Sequence, residues 1–196
     1  QVNAFKHAAN MCDAPYFWAV FAKSQVVEEF DFVYEPDRLA EAKFYCFDSH
    51  IPLNGLRYGA YGLVLYNTSI VKHATEWNAD FTTSFPFEFV DTLSTIANFN
   101  KTAYMTWRSA FKECAKLSNG YIKMTDSKTN QERLNVWCNT AEGDFSEYCL
   151  QGANQGKQFG EESTEEEMLQ LLDEKFLQQK FISLYNDLEN PVALTS

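Results

Sequence analysis

Four carboxylates stand where ionisation is costly: Asp31, Asp48, Asp80 and Glu88 all lie in or beside apolar segments. Such surroundings raise an acid's pKa and suit it to accept a proton as a general base. The alternative for each is a turn cap or an ion pair with a neighbouring arginine. Asp80, which opens Asp80-Phe81-Thr82-Thr83-Ser84, and Glu88, set between Phe87 and Phe89, are the catalytic candidates. The histidines offer less. His7 falls on the polar side of the first helix, His50 precedes a proline-containing loop and His73 follows a lysine. Spacing gives no Ser-His-Asp or Cys-His pairing, and they read as surface residues.

A second group of candidates comes from a loop with three glycines, Ile51-Pro52-Leu53-Asn54-Gly55-Leu56-Arg57-Tyr58-Gly59-Ala60-Tyr61-Gly62. It runs straight into the apolar Leu63-Val64-Leu65-Tyr66. Glycines at such a place let a ligand approach the backbone, or meet the needs of turns with positive φ. On the first reading Asn54, Gly55, Arg57, Tyr58 and Gly59 contact substrate. The spacing matches neither the dinucleotide fingerprint nor the P-loop. Cys12, Cys46, Cys114, Cys138 and Cys149 are odd in number, scattered and never at zinc-site spacing. Free thiols, mostly in the core, are the expectation, with no metal site.

These residues need a scaffold. Val2, Phe5, Ala9 and Cys12 repeat at helical spacing, so the chain opens on a short helix ended by Asp13-Ala14-Pro15. The uncharged run Tyr16 to Ala22 reads as a strand buried on both faces and as the centre of the sheet. Its carboxyl end, marked by Lys23-Ser24, is the edge at which open α/β sheets bind ligands. Strands are also expected at 43–47 and 63–66, with a short helix between 68 and 77. Phe89, Leu93 and Ile96 recur at helical spacing. Tyr104, Trp107, Phe111, Cys114 and Leu117 form the clearest helical stripe, closed by Ser118-Asn119-Gly120. Beyond a polar loop at 125–130, helices are expected around Trp137, after an Asp144 cap, and from Ser163-Thr164-Glu165-Glu166-Glu167, which has the form of a capping box. The last of these should end at Asn190-Pro191. The fold class is thus α/β with a mixed open sheet over 1–118, followed by a helical part, 119–196, packing on it.

The 196 residues are 45% hydrophobic and 16% aromatic, enough for a substantial core. A net charge of -11 argues against general nucleic-acid binding, which needs clustered cations. No apolar run approaches the ~20 residues that span a bilayer. No signal-peptide pattern opens the chain, and Gln1 in place of Met implies trimming or a larger product.

Several phrases occur together in order: Tyr16-Phe17-Trp18-Ala19-Val20-Phe21-Ala22-Lys23, Phe30-Asp31-Phe32, Pro52-Leu53-Asn54-Gly55-Leu56-Arg57-Tyr58-Gly59, Asp80-Phe81-Thr82-Thr83-Ser84 and Thr106-Trp107-Arg108-Ser109-Ala110-Phe111-Lys112-Glu113. From about Ala8 to about Gly152 the chain resembles a family encoded by large tailed phages, especially marine ones, that looks like glycosyltransferases of the A-type fold. The resemblance implies a protein of the infected host's cytoplasm, or of the virion, that transfers or binds a sugar from a nucleotide-sugar donor. In A-type enzymes the buried strand ends in Asp-x-Asp, which holds a divalent metal; here Phe21-Ala22-Lys23 stands in its place. Phenylalanine cannot ligate a metal and lysine repels one, so no cofactor is expected, and Lys23 itself would neutralise the diphosphate. The nucleotide-binding half of such folds precedes this strand, so a chain starting here looks truncated. The competing expectation is a non-catalytic binding or assembly protein that docks on a host or virion protein through Met168, Leu171, Leu172 and Phe176.

Overall fold

The structure, a computed structural model, describes residues 2–37, 39–120 and 126–185. They form a mixed α/β protein of two compact units, Gln1–Asn98 and Phe99–Ser196. The expected boundary fell after residue 118; the actual division comes earlier because the helix that follows Thr102 packs along another helix of the second unit.

In the first unit, helix α1 (Val2–Met11) precedes strands β1 (Tyr16–Ala19), β2 (Ser24–Val26), β3 (Phe44–His50), β4 (Arg57–Tyr58) and β5 (Val64–Asn67). Helix α2 (Thr68–His73) and strand β6 (Phe87–Ala97) complete it. The sheet order is β1-β5-β3-β6-β2, with β4 beside the last residues of β3. Only the β3–β6 pair is parallel among these ladders, so the sheet is mixed.

The centre is β3, not the run from Tyr16. Phe44, Tyr45, Cys46 and Phe47 are all buried and flanked by β5 and β6. β1 stops at Ala19, pairs with β5 alone and is half-buried throughout, and Val20 is 51% exposed. An edge strand with both faces covered has the same sequence signature as a central one. Trp18 packs on Phe47 and Phe30 on one face, while Phe17 meets Tyr66 on the other. The segment 30–37 is irregular backbone that covers the first face: Phe30 and Tyr34 lie edge-on to Phe47. On the second face, Phe5 of α1 gathers Tyr66, Phe21 and Phe81.

The helical spacing of Phe89, Leu93 and Ile96 belongs to an eleven-residue strand. Against β3, the register jumps from Phe47↔Val90 to Asp48↔Leu93 and then Ser49↔Thr95. Extra residues inserted at bulges break the two-residue alternation, and the apolar positions fall three and four apart.

The second unit is helical: α3 (Ala103–Asn119), α4 (Ser127–Asn139), α5 (Ser146–Glu162) and α6 (Glu174–Tyr185), with a 3-10 stretch at Glu167–Leu172. The expected stripe on α3 is real, with Trp107, Phe111, Cys114 and Leu117 buried. Thr102 caps the helix by accepting from the Met105 N–H, and Gly120, at φ 72°, closes it. Part of the expected loop at 125–130 is the first turn of α4, capped by Asp126 through the Thr129 N–H. Phe145, not Asp144, precedes α5. The capping box forms: the Thr164 N–H donates to Glu167 Oε2 at 2.8 Å and the Glu167 N–H to Thr164 Oγ1 at 3.3 Å. The expected stop at Asn190-Pro191 lies outside the described residues.

Candidate functional site

At one corner of the first unit the Lys23 turn meets the glycine-bearing loop. Between β4 and β5 the chain leaves the ladder for the loop Gly59-Ala60-Tyr61-Gly62. Tyr61 is held at φ 65°, a conformation that costs a bulky residue about 1–3 kcal/mol. Two hydroxyls clamp its carbonyl: Ser24 Oγ donates at 2.5 Å and Thr95 Oγ1 at 3.1 Å. Ser24 follows Lys23 in the turn from β1 to β2, so this bond ties the lysine turn to the glycine loop. The Lys23 carbonyl accepts from the Asn98 N–H, which fixes the turn from its other side.

Both glycines of this loop are required by space. A Cβ on Gly62 would lie 1.7 Å from the Phe47 carbonyl oxygen, and one on Gly59 would lie 2.7 Å from the Phe89 ring. The same point at Gly59 is 3.7 Å from Cys46 Cβ. Cys46 is buried, and burial raises its thiol pKa strongly, with the Asp80 charge adding to the shift. Burial likewise raises the Tyr66 phenol, which hydrogen bonds Thr82 at 2.7 Å and also feels Asp80. Asp80 lies just before the 3-10 helix Thr82–Ser84. It caps the turn there: Oδ1 accepts from the Thr83 N–H at 3.3 Å, and its carbonyl accepts from Ser84 Oγ at 2.7 Å.

The remaining candidates lie elsewhere in the unit. Glu88 forms an ion pair with Lys43 at 3.0 Å. That pair acts on Tyr34, whose phenol is raised by burial and by Glu88, so it belongs to the Tyr34–Tyr45 side. Arg57 is bonded to Asp48 at 3.1 Å and to Asp91 at 2.7 Å. The two carboxylates offset its charge, which weakens its pull on a phosphate. Tyr58 is buried in the β3–β4 hairpin. Asn54 and Gly55 form its turn: Gly55 is left-handed at φ 73°, and Asn54 Oδ1 accepts from the Leu56 N–H. The buried Asn54 Nδ2 lacks a partner among the described residues. Asp31 holds its own loop through the Val33 N–H at 2.9 Å and lines a cavity of about 210 Å³ with Phe30, Tyr34 and Phe47.

Phe21, at the first position of the expected acidic triplet, packs edge-on against Phe5 at 6.2 Å. Ser24, Tyr61 and Thr95 are what sequence reasoning missed. A left-handed tyrosine carries no compositional signal, and the hydroxyls that hold it come from two other strands. The Lys23 turn carries a cation and is tied through Ser24 to Tyr61 of the glycine-bearing loop. A lysine at such a loop can receive an anionic group, and a carboxylate such as Asp80 can accept a proton from a hydroxyl. Comparison of the chain with protein families, curated proteins and solved structures finds no match.

Proposed function

We propose that the first unit is a glycosyltransferase-A-like domain of a large tailed phage that binds a nucleotide sugar at this corner without an Asp-x-Asp metal motif. The observation that carries the reading is the Ser24–Tyr61 hydrogen bond, which joins the Lys23 turn to the glycine loop. The strained Tyr61 adds to it, since such outliers cluster at ligand clamps. In this reading the Lys23 ammonium meets the diphosphate, in a position where the phage-family resemblance would place a metal-binding acid. The loop backbone at Gly59 offers close approach, and Asp80 takes the proton of the acceptor hydroxyl. Glu88 and Arg57, tied to Lys43, Asp48 and Asp91, serve the scaffold. The experiment is the melting temperature of the protein with millimolar nucleotide sugars, together with an assay for their hydrolysis. A rise in melting temperature that Lys23→Ala removes is expected. No rise with any donor and no hydrolysis defeats the reading.

A second reading, a binding or assembly protein, is favoured by one observation in the second unit. Leu169 and Leu172 of the 3-10 stretch are 43% and 51% exposed, and Ile182 and Leu184 of α6 are also exposed. The surface differs from the expected one: Met168 and Leu171 are buried, and core packing accounts for them. A chain that stays monomeric in light scattering, and loses no function when residues after Gly160 are removed, defeats this version.

A further inference from the structure

The cavity of about 210 Å³ beside Asp31 shares no lining residue with the Lys23 corner. Three features of the first unit build it. The turn at 27–30, closed by the Phe30 N–H donating to the Val27 carbonyl at 3.2 Å, carries Glu29. Next, Asp31 Oδ1 accepts from the Val33 N–H at 2.9 Å, and Tyr34 returns to Phe47. On the other side β6 bulges. Between the pairs Phe47↔Val90 and Asp48↔Leu93 two residues are extra, and one of them, Thr92, lines the cavity.

The lining is graded from inside to outside. Phe47 is buried, Phe30 and Tyr34 are half-buried, and Glu29, Asp31 and Thr92 are exposed. Aromatic carbon therefore forms the inner wall, and two carboxylates stand at the rim. The Phe30 and Tyr34 rings lie at 82° and 90° to Phe47, with centroids 5.4 and 5.1 Å away. Trp18 braces Phe30 edge-on at 5.4 Å, so this wall is held from behind.

We propose that this cavity binds an alkylated ammonium group, the cationic head of a small molecule or of a modified lysine side chain. Its volume falls below the ~300 Å³ at which pockets for drug-sized ligands begin, so a head group fits and a nucleotide does not. Aromatic rings attract a cation through their quadrupole. Methyl groups on the nitrogen bury apolar surface against them, where a bare ammonium would forfeit its water. Glu29 and Asp31 supply the opposite charge. Among the described residues neither is paired with a lysine, arginine or histidine. The chain's net charge of -11 favours the approach of a cation and disfavours that of an anion.

Calorimetric titration of the folded full chain tests this with two probes, free choline and a short peptide bearing trimethyllysine. Saturable binding of at least one, one per chain, is expected, and the tighter of the two identifies the carrier of the group. The uncharged isostere of choline, with carbon in place of nitrogen, keeps the shape and should bind roughly tenfold more weakly. Asp31→Asn retains an oxygen for the Val33 N–H, and Glu29→Gln lies on an exposed turn, so the double variant should fold. It should lose roughly fivefold in affinity, and added salt should weaken the parent in the same direction. Phe30→Leu keeps apolar bulk, removes a ring and should weaken binding further. If that variant does not fold, the isostere and the carboxylate pair decide. No binding of either probe at millimolar concentration, equal affinity for the uncharged isostere, or unchanged affinity in the double variant overturns the proposal.

Discussion

Replacing Gly156 by alanine should destabilise the second unit, although the same change in an ordinary helix stabilises it. Gly152, Gly156 and Gly160 recur every four residues along α5, facing Trp107, Phe111 and Ala115, also four apart, on α3. A Cβ at Gly156 would sit 2.2 Å from the Phe111 carbonyl oxygen, 2.7 Å from its Cα and 2.8 Å from its carbonyl carbon. All three are backbone atoms, so no side-chain rotation relieves the overlap and the helices must separate. Alanine gains about 1 kcal/mol in helix propensity over glycine. Overpacking of this kind costs about 3 kcal/mol at the upper end of its usual range, and the separated helices lose dispersion contacts as well. The net loss is about 2 kcal/mol, or roughly 4–8 °C in melting temperature for a chain of this length. Urea or thermal unfolding followed by circular dichroism reads it directly, and Gly152→Ala, with its contact at 2.4 Å to the Trp107 oxygen, should behave alike. A Gly156→Ala protein as stable as the parent, or more so, would refute the close α3–α5 packing.

Gly62→Ala should be more severe, because its Cβ meets the Phe47 carbonyl oxygen at 1.7 Å inside the central sheet; soluble expression and the far-ultraviolet spectrum of the variant check it. Glu174 on α6 accepts from Tyr104 at 2.6 Å and from Arg108 at 2.6 and 2.9 Å. Burial raises its carboxyl, but the Tyr104 and Arg108 hydrogen bonds outweigh that and hold it below the usual 4.5. A depressed acid contributes stability above its unfolded pKa and loses it as the pH falls through the folded value. Glu174→Gln should therefore flatten the acid limb of the unfolding midpoint below about pH 4.5 and lower the midpoint at neutral pH; limbs that run parallel in variant and parent would count against the latch.

The segments most legible in the sequence are those whose signal is local. The α3 stripe, its close at Gly120 and the Thr164–Glu167 box are written in spacing and capping chemistry, and they form as read. Sheet order was not legible, because Tyr16–Ala19 and Phe44–Phe47 are both apolar runs and only pairing partners distinguish edge from centre. β6 was misread for a related reason: its bulges exist only in register with β3. In the site, Gly59 and Asp80 could be picked from type and context. That Arg57 and Glu88 are bound up in ion pairs depends on Asp48, Asp91 and Lys43, which fold topology alone brings near. The glycine stripe of α5 takes its meaning only from α3, whose Trp107, Phe111 and Ala115 backbone fills the space a Cβ would need.

The sugar-nucleotide reading stands or falls on whether the Lys23 corner holds a diphosphate. Calorimetric titration of the full chain with uridine, guanosine, cytidine and deoxythymidine diphosphate sugars, repeated on Lys23→Ala, measures this. The account predicts binding of at least one donor and a loss of roughly tenfold or more in affinity in the variant, the worth of one charge-assisted hydrogen bond. Absence of binding across all four carriers, or an unchanged affinity in Lys23→Ala, would contradict it.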